Sequence, residues 1–431
     1  MSPTPRTRAR RALPLLAAGA GAALLLAACS GGSGFEDTAD GGSSAGAGGG
    51  TSSGDGSLQV LIGSSGDAET DAVDAAVAAW SEESGVEAEV TVASDLAQEL
   101  SQGFASGSPA DVFYVSADAF QGYAANGSLL PYGDQLSAVD DFYPSLVEQF
   151  TYEDQLYCAP KDFSTLALII DTDDWAAAGL TDADIPTDWD GLTSVAQRLT
   201  TDGRVGLGFS GEYARVGAFL AQAGGQMVSD DGTTAEVDSP ENVEGLTYVQ
   251  GLLQSGSAAY AADLGTGWGG EAFGTDKAAM TIEGNWISGA MANDYPDVAW
   301  TAVPLPAGPG GQGTLQFTNC WGIAADSANQ EAAIDLVDHL TAADQQLAFS
   351  EAFGVMPAVQ SAADGWRELY PDYTAFIDSA DFAQNVVNAQ GASDVITDFN
   401  AQLEGLEDGD PAGILGSVQQ NLQAVLDENA S

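Results

Sequence analysis

Apolar positions along the chain follow two periods in turn, which predicts strands alternating with helices. The run 58–62 is short and almost wholly apolar, which is typical of a buried strand. After a Gly/Ser turn the apolar residues fall three and four positions apart, which predicts a helix with one buried face: Val73, Ala76, Val77 and Trp80. Residues 89–92 and 111–115 predict two more strands, with a helix near 96–104 between them. This order predicts a parallel sheet flanked by helices, in which ligands bind at the loops after the strands.

The same alternation continues to the C-terminus and gives the chain an α/β character. Two further buried strands are predicted at 166–170 and 318–324. The predicted helices are 192–199, 213–223, 240–254, 287–293, 329–340, 395–406 and 412–426. The stretch from residue 58 to the end is long enough for two ordinary domains, and no internal repeat of fixed period is present.

The first 28 residues have the pattern of an export signal. Four arginines between positions 6 and 11 precede an apolar stretch at 12–28, which is short for a membrane-spanning helix. Cys29 directly follows Ala27-Ala28, and this arrangement resembles the lipobox of bacterial lipoproteins. The resemblance implies cleavage after residue 28, lipidation of Cys29 and an exported protein anchored at the extracellular face of the membrane. The alternative is an ordinary signal peptide that happens to end at a cysteine.

The segment 29–57 is dominated by Gly and Ser, which predicts a flexible tether reaching roughly 30 Å from the membrane. Beyond the signal the chain has six basic and 63 acidic residues, so the formal charge of the exported chain is −57. Such a charge repels nucleic acid and anionic lipid, and it disfavours an anionic ligand unless a cation is placed at the site. The acidity alternatively serves only solubility in saline surroundings.

The chain has few of the residues that bind metals or cofactors or that form the catalytic site of a serine hydrolase. Cys158 and Cys320 remain after Cys29, and an even pair in an exported protein favours a disulfide over two thiols. The single histidine, His339, and the absence of Cys-x-x-Cys argue against a metal site, and no cofactor is expected. A lone histidine without a Gly-x-Ser-x-Gly motif also argues against a serine hydrolase.

Several motifs recur in an order that resembles a known family. They are Gly66-Asp67, the run 110–115, Asp118-Ala119-Phe120 with Gly122-Tyr123, the run 156–162, Gly224-Gly225, Phe273-Gly274, the run 277–280 and Gly284-Asn285-Trp286. This series is similar to that of extracellular solute-binding proteins of sugar ABC importers, the maltose-binding-protein-like group known as family 1. The resemblance extends from about residue 58 to the end of the chain.

The family fold is the type II periplasmic-binding-protein fold, with two α/β lobes of parallel-rich sheets flanked by helices and a ligand cleft between the lobes. The resemblance implies that lobe 1 comprises 58–162 and about 320–380, and that lobe 2 comprises 163–319 and about 381–431. It makes 157–170 and 318–324 the central crossovers, which places Cys158 and Cys320 on neighbouring strands near the hinge.

A receptor for a neutral sugar offers carboxylates and amides to hydroxyls and aromatic rings to the flat C–H faces. The resemblance assigns such contacts to Asp67, Asp118, Glu212 and Trp286. The further candidates are Asp162, Phe163, Ser164, Asn285, Trp268 and Trp321. Asp67 alternatively caps its helix, and Lys161 alternatively pairs with Asp162. The alternative for Trp268, Trp286 and Trp321 is packing in the core.

Three departures from the family pattern change the expected ligand. Ser164 stands where the family has a ligand-binding Glu, and Ala214 replaces an aromatic residue. Near the C-terminus, Ile396 and Thr397 lie in the region where the family has aromatic contacts. We therefore expect a carbohydrate other than maltose.

The resulting hypothesis is a substrate-binding component of an ABC transporter, a monomer and not an enzyme. It captures a mono- or oligosaccharide outside the cell and delivers it to the membrane subunits of a permease. One alternative is a receptor for a cationic solute such as a polyamine, since the acid surplus allows it. Another is an anchored glycan hydrolase, because paired carboxylates are easily found among 63 acids.

Overall fold

The structure, a computed structural model, describes residues 56–229 and 231–429. The predicted signal peptide, the lipidation at Cys29 and nearly all of the predicted tether lie outside the described residues. Within them, no helix is both long and apolar enough to cross a membrane.

The predicted alternation of strands and helices is present, with additional short elements. The strands are β1 Ser57–Ile62, β2 Glu87–Val92, β3 Val112–Ser116, β4 Thr151–Tyr152, β5 Gln155–Leu156, β6 Cys158–Asp171, β7 Val205–Phe209, β8 Ala258–Tyr260, β9 Ala278–Gly284, β10 Trp300–Val303, β11 Thr314–Ile323 and β12 Ala383–Asn385. The helices are α1 Asp67–Ser84, α2 Leu96–Ser106, α3 Ala117–Ala125, α4 Pro144–Gln149, α5 Thr172–Ala177, α6 Trp189–Leu199, α7 Tyr213–Ala223, α8 Pro240–Gln254, α9 Gly269–Gly274, α10 Ile287–Asn293, α11 Gln330–Thr341, α12 Ala343–Phe353, α13 Ala363–Leu369, α14 Thr374–Asp378, α15 Ala392–Leu403 and α16 Pro411–Asn429.

One large sheet has the strand order β2-β1-β3-β11-β6-β9-β7-β8, and β10 and β12 pair with β6 and β11. Its two flanks are parallel: β1 pairs with β2 and β3, and β7 pairs with β8 and β9. The long central strands β6 and β11 run antiparallel to each other and to the flanks. The parallel flanks confirm the predicted strand–helix–strand units.

Two hydrophobic cores lie along this sheet and share β6. The first surrounds β1, β3, α1, α11 and α12, and the second surrounds β7, β9, α7, α8 and the C-terminal helices α15 and α16. Because successive side chains of a strand point to opposite faces, Ala167 and Ile169 belong to the first core, whereas Leu166 and Leu168 belong to the second. Phe273 of α9 also packs in the first core. The residue boundaries of the two lobes stay a prediction.

Both central strands begin earlier than the apolar pattern predicts. β6 starts at Cys158 rather than near 166, and β11 starts at Thr314 rather than 318. The sequence Pro160-Lys161-Asp162 interrupts the apolar run, yet all three residues are buried in the strand. Charged residues are buried when they are paired, and that pairing depends on distant parts of the chain.

The predicted disulfide is confirmed in the structure. Cys158 and Cys320 are bonded, with their Cα atoms 5.5 Å apart, and they lie on the paired strands β6 and β11. The bond therefore ties the two central strands together within the first core.

Candidate functional site

Two of the predicted carboxylates follow neighbouring parallel strands of the first flank. Asp67 is the first residue of α1, after β1, and Asp118 lies in the first turn of α3, after β3. Because the carboxyl ends of parallel strands meet at one edge of a sheet, both acids belong to the same edge. Both are exposed. Asp67 does not cap its helix through its side chain, so its carboxylate remains available to a ligand.

A third acid in this region, Glu69, is buried and holds the loop between β1 and α1. Its Oε2 accepts hydrogen bonds from the backbone N–H and the Oγ of Ser65, both at 2.7 Å. Its Oε1 accepts from Tyr114 Oη at 3.0 Å and lies 3.1 Å from Lys161 Nζ. Glu69 therefore links the loop before Asp67 to β3 and β6.

Lys161 completes this first cluster, which we define as Glu69, Tyr114, Lys161 and Asp162. Its ammonium forms ion pairs with Glu69 and Asp162 and lies 4.6 Å from the centre of the Tyr114 ring. The prediction that Lys161 alternatively pairs with Asp162 is confirmed, and Asp162 is directed to this pair rather than to solvent.

The charged groups of the first cluster shift one another's pKa values. Burial alone would raise the pKa of Glu69, but Lys161 and the Ser65 hydrogen bonds hold it below its ordinary value. Burial alone would lower the pKa of Lys161, but Asp162 and the other neighbours raise it. Burial raises the pKa of Asp162 in spite of Lys161. At neutral pH the ammonium is firmly charged, and the cluster keeps it from acting as a free cation.

A second cluster lies at the carboxyl ends of β7 and β9, and we define it as Glu212, Arg215, Glu283 and Trp286. Arg215 Nη1 lies 2.9 Å from Glu212, and Nη2 lies 2.6 Å from Glu283 Oε2. The Trp286 indole N–H donates to the same Glu283 oxygen at 2.9 Å. Glu212 keeps a partly exposed carboxylate, and 39% of Trp286 is exposed.

Glu283 is the buried centre of the second cluster. It is 0% exposed, and burial raises its pKa, although Arg215 and the indole N–H oppose that effect. Its other oxygen, Oε1, is buried and makes no hydrogen bond within the described residues. A Cβ atom at Gly269 would lie 2.8 Å from Oε1, so glycine at that position lets the first turn of α9 approach the carboxylate closely.

The two clusters are joined by β6 and by the residues that end α12. Ser164 Oγ accepts a hydrogen bond from the backbone N–H of Asn285 at 3.1 Å. The Asn285 side chain donates to the carbonyl oxygen of Gly354 at 2.9 Å. Phe353 in turn lies 5.7 Å from Lys161 Nζ, measured to the ring centre. The predicted residues Ser164 and Asn285 thus connect the second cluster to the first.

Three predicted aromatic ligands lie in packed positions. Trp321 is 1% exposed and meets Tyr114 edge to face at 4.6 Å, while Phe163 is buried against Tyr143. Trp268 is partly buried against the first core. In this conformation Trp321 and Phe163 offer no surface to a ligand. For Trp321 this corresponds to the alternative of core packing.

All six basic residues that follow the predicted signal lie in the described part of the chain, and each is engaged internally. Four form ion pairs: Lys161, Arg204, Arg215 and Arg367. The other two, Arg198 and Lys277, donate to backbone carbonyl groups. In both clusters, therefore, the cation is already paired with carboxylates.

A cavity of about 1160 Å³ lies elsewhere, lined by α4, β12 and residues 226–229 and 231–233. None of the predicted ligand residues lines it. The candidate site therefore consists of the two clusters and not of this cavity.

Sequence reasoning missed Glu69 and Arg215 and gave Glu283 no role. A signal for Glu69 exists, since it falls at helical spacing with Val73, Ala76, Val77 and Trp80, and an acid inside an apolar stripe needs a buried partner. Glu283 likewise interrupts the apolar strand β9. Arg215 is one of few cations in a strongly acidic chain.

Solved structures share this fold. A cyclic α-maltosyl-1,6-maltose binding protein from Arthrobacter globiformis matches with a TM-score of 0.77 and 22% identity, over 86% of this chain and 99% of the other. An ABC substrate-binding protein from Listeria monocytogenes in complex with cycloalternan matches with a TM-score of 0.73 and 21% identity, over 86% and 99%. These similarities confirm the predicted two-lobed periplasmic-binding-protein fold.

Sequence comparison points to the same class of protein. A binding protein from Brucella abortus is 23% identical over 353 residues, which cover 77% of this chain and 83% of the relative. The family model described as bacterial extracellular solute-binding protein matches residues 75–406, more than three quarters of the chain. The chain therefore belongs to the bacterial extracellular solute-binding protein family.

Proposed function

We propose that this protein captures a neutral mono- or oligosaccharide and delivers it to the membrane subunits of an ABC permease. The observation that carries the proposal is the exposed ring of Trp286 at the carboxyl end of β9. Its N–H is already bonded to Glu283, so the exposed part of the ring offers an apolar face and no free donor. Aromatic faces of this kind pack against the C–H faces of sugars.

The charges of the two clusters and of the exposed acids Asp67 and Asp118 support an uncharged ligand. Asp67, Asp118 and Glu212 are available as acceptors for hydroxyl groups, whereas Lys161 and Arg215 are each held by two carboxylates. Since the cations of both clusters are already paired with carboxylates, a hydroxyl-rich neutral solute fits these groups better than a phosphorylated or carboxylated one.

Structural neighbours add support for the ligand class. The proteins from Arthrobacter globiformis and Listeria monocytogenes are described with the sugars maltosyl-maltose and cycloalternan. UgpB from Mycobacterium tuberculosis, in complex with glycerophosphocholine, matches with a TM-score of 0.73 and 18% identity. Glycerophosphocholine is a zwitterion that carries a quaternary ammonium beside its phosphate. That ammonium group, together with the exposed carboxylates of this chain, makes a cationic solute such as a polyamine the second class to test.

In this proposal the protein is a monomer that binds without catalysis. The two lobes close on the solute, because a ligand that contacts both lobes stabilises the closed state. Lobe 1 comprises 58–162 and about 320–380, and lobe 2 comprises 163–319 and about 381–431. Lipidation of Cys29 holds the protein at the outer face of the membrane, where the permease is within reach of the tether.

A thermal-shift screen of the purified protein tests the ligand class. The panel contains neutral mono- and oligosaccharides, polyamines and amino acids, because a ligand bound only by the folded protein raises the melting temperature with concentration. We expect a neutral sugar to give the largest shift, and Trp286→Ala to abolish that shift while the ligand-free protein stays folded. A shift from polyamines alone would replace the proposal with the cation receptor, and chemical conversion of the sugar would replace it with the hydrolase.

A further inference from the structure

Trp286 is held on more than one side. Its indole N–H donates to Glu283 Oε2 at 2.9 Å, and the Arg215 guanidinium carbon lies 5.3 Å from the ring centre. The edge of the ring meets Phe317 of β11, with ring centres 5.5 Å apart. The hydrogen bond to Glu283 is the contact that can fix rotation of the indole, because it is directional.

The same oxygen of Glu283 also determines what Arg215 can do. Arginine captures a phosphate or carboxylate through parallel N–H groups of its planar guanidinium. Here Nη2 is directed at Glu283 and Nη1 at Glu212, so one positive charge lies between two negative ones. Glu283 cannot turn away to release Nη2, since its side chain is fully buried.

The equivalent cation of the first cluster is restrained in the same way. Lys161 is held between Glu69 and Asp162, and its side chain is buried. Each cluster therefore has one cation and two carboxylates. Of the two cations, only Arg215 lies against the exposed aromatic ring at which the proposed ligand binds.

We propose that Glu283 is the residue that determines specificity for an uncharged solute, by orienting the Trp286 ring and by occupying Arg215. This inference rests on the proposed function. The position of the Trp286 ring and the ability of Arg215 to bind an anion can nevertheless both be measured without knowing the sugar. Glu283 acts through its neighbours and is a positioning residue: it is fully buried and does not itself contact the solute.

The anion experiment uses the full chain with Glu283→Gln and inorganic phosphate as the probe. The amide keeps the shape of the side chain and removes its charge, which leaves Arg215 with one carboxylate partner. We expect the affinity for phosphate, measured by calorimetry, to rise at least tenfold over the wild type and to fall again as salt is added. Asp174→Asn is the matched control, because it removes a partly buried carboxylate that pairs with Arg204 and lies outside both clusters. Phosphate affinity that is equal in the wild type and in Glu283→Gln, including none in both, would overturn the inference.

The ring experiment uses fluorotryptophan in the ligand-free protein, with the Trp286 resonance assigned by its loss in Trp286→Phe. In Glu283→Ala we expect this resonance to shift toward that of fluorotryptophan free in water, whereas in Asp174→Asn it stays in place. An unchanged resonance in a folded Glu283→Ala protein would contradict the positioning role, and if that variant does not fold, the phosphate result decides. Failure of every sugar to bind the wild type would defeat the proposed function while leaving both readouts interpretable.

Discussion

The side-chain amide of Asn285 donates a hydrogen bond to the carbonyl oxygen of Gly354 at 2.9 Å. Asn285 follows β9, which belongs to the second core, whereas Gly354 ends α12, which packs in the first. One side chain, next in the sequence to Trp286, thus connects the strand β9 of the second core to the end of α12, which packs in the first core. We expect this bond to contribute to ligand affinity, because a solute enclosed by both halves benefits from any contact that favours their approach.

Asn285→Ala should weaken binding of the neutral sugar identified by the thermal-shift screen about tenfold, the equivalent of roughly 1–1.5 kcal/mol for one hydrogen bond. Titration calorimetry measures the change. Asn293→Ala, at the exposed end of α10, removes an amide outside this contact and should leave the affinity unaltered. Equal affinities in both variants would show that the bond to Gly354 has no part in binding.

The bond between Cys158 and Cys320 closes a loop with a sequence separation of 162 residues. On the chain-entropy model, replacing both residues with serine should lower the free energy of unfolding by about 4–5 kcal/mol. Urea denaturation of the double variant measures this loss. Thiol titration of the native exported protein should detect neither cysteine until a reductant is added, and quantitative labelling of both would refute the disulfide.

Glu69 makes stability depend on pH in a defined direction. Its pKa in the folded protein is held below the ordinary value, so its stabilising effect is present above that value and is lost as the pH falls through the folded pKa. Glu69→Gln should therefore cost on the order of 2 kcal/mol at pH 7 and progressively less below about pH 4. Urea denaturation of both proteins across this range measures the difference. A difference that stays constant, or grows toward acid, would contradict the ion pair with Lys161.

Cys29 provides a test of the proposed anchor. Cys29→Ser removes the thiol that would carry the lipid, so the protein should move from the membrane fraction to the medium. Fractionation with immunodetection measures the distribution, and Cys158→Ser serves as the control cysteine that should leave membrane attachment intact. Equal retention of the wild type and Cys29→Ser at the membrane would show that lipidation of Cys29 does not anchor the protein.

The periodic part of the fold could be predicted from the sequence, since each such element carries its own pattern. The strand and helix that begin at Ser57 and Asp67 follow from apolar spacing alone. The first half of β6 does not, because one of the two carboxylates that pair with the buried Lys161 belongs to Glu69, which is 92 positions away in the sequence. Local pattern cannot reveal a charge that is buried by a distant partner.

The same reason limits what could be predicted of the site. Trp286 could be named from its motif, and the structure places it with an exposed ring. Its support by Glu283 and Arg215 requires β9 and α7 to be brought together, which only the fold does. The sequence offers Trp321 as a second candidate for a ligand-binding ring, yet the structure places Trp321 buried in the first core. Exposure, and not residue type, separates the two rings.

We propose that two lobes enclose an uncharged solute and release it unchanged. Small-angle X-ray scattering of the protein is measured with and without a saturating concentration of the sugar found in the screen, and the sugar is recovered afterwards and analysed. We expect a smaller radius of gyration in the presence of the sugar, and a sugar that is chemically intact. Identical dimensions in both samples, or conversion of the sugar, would contradict it.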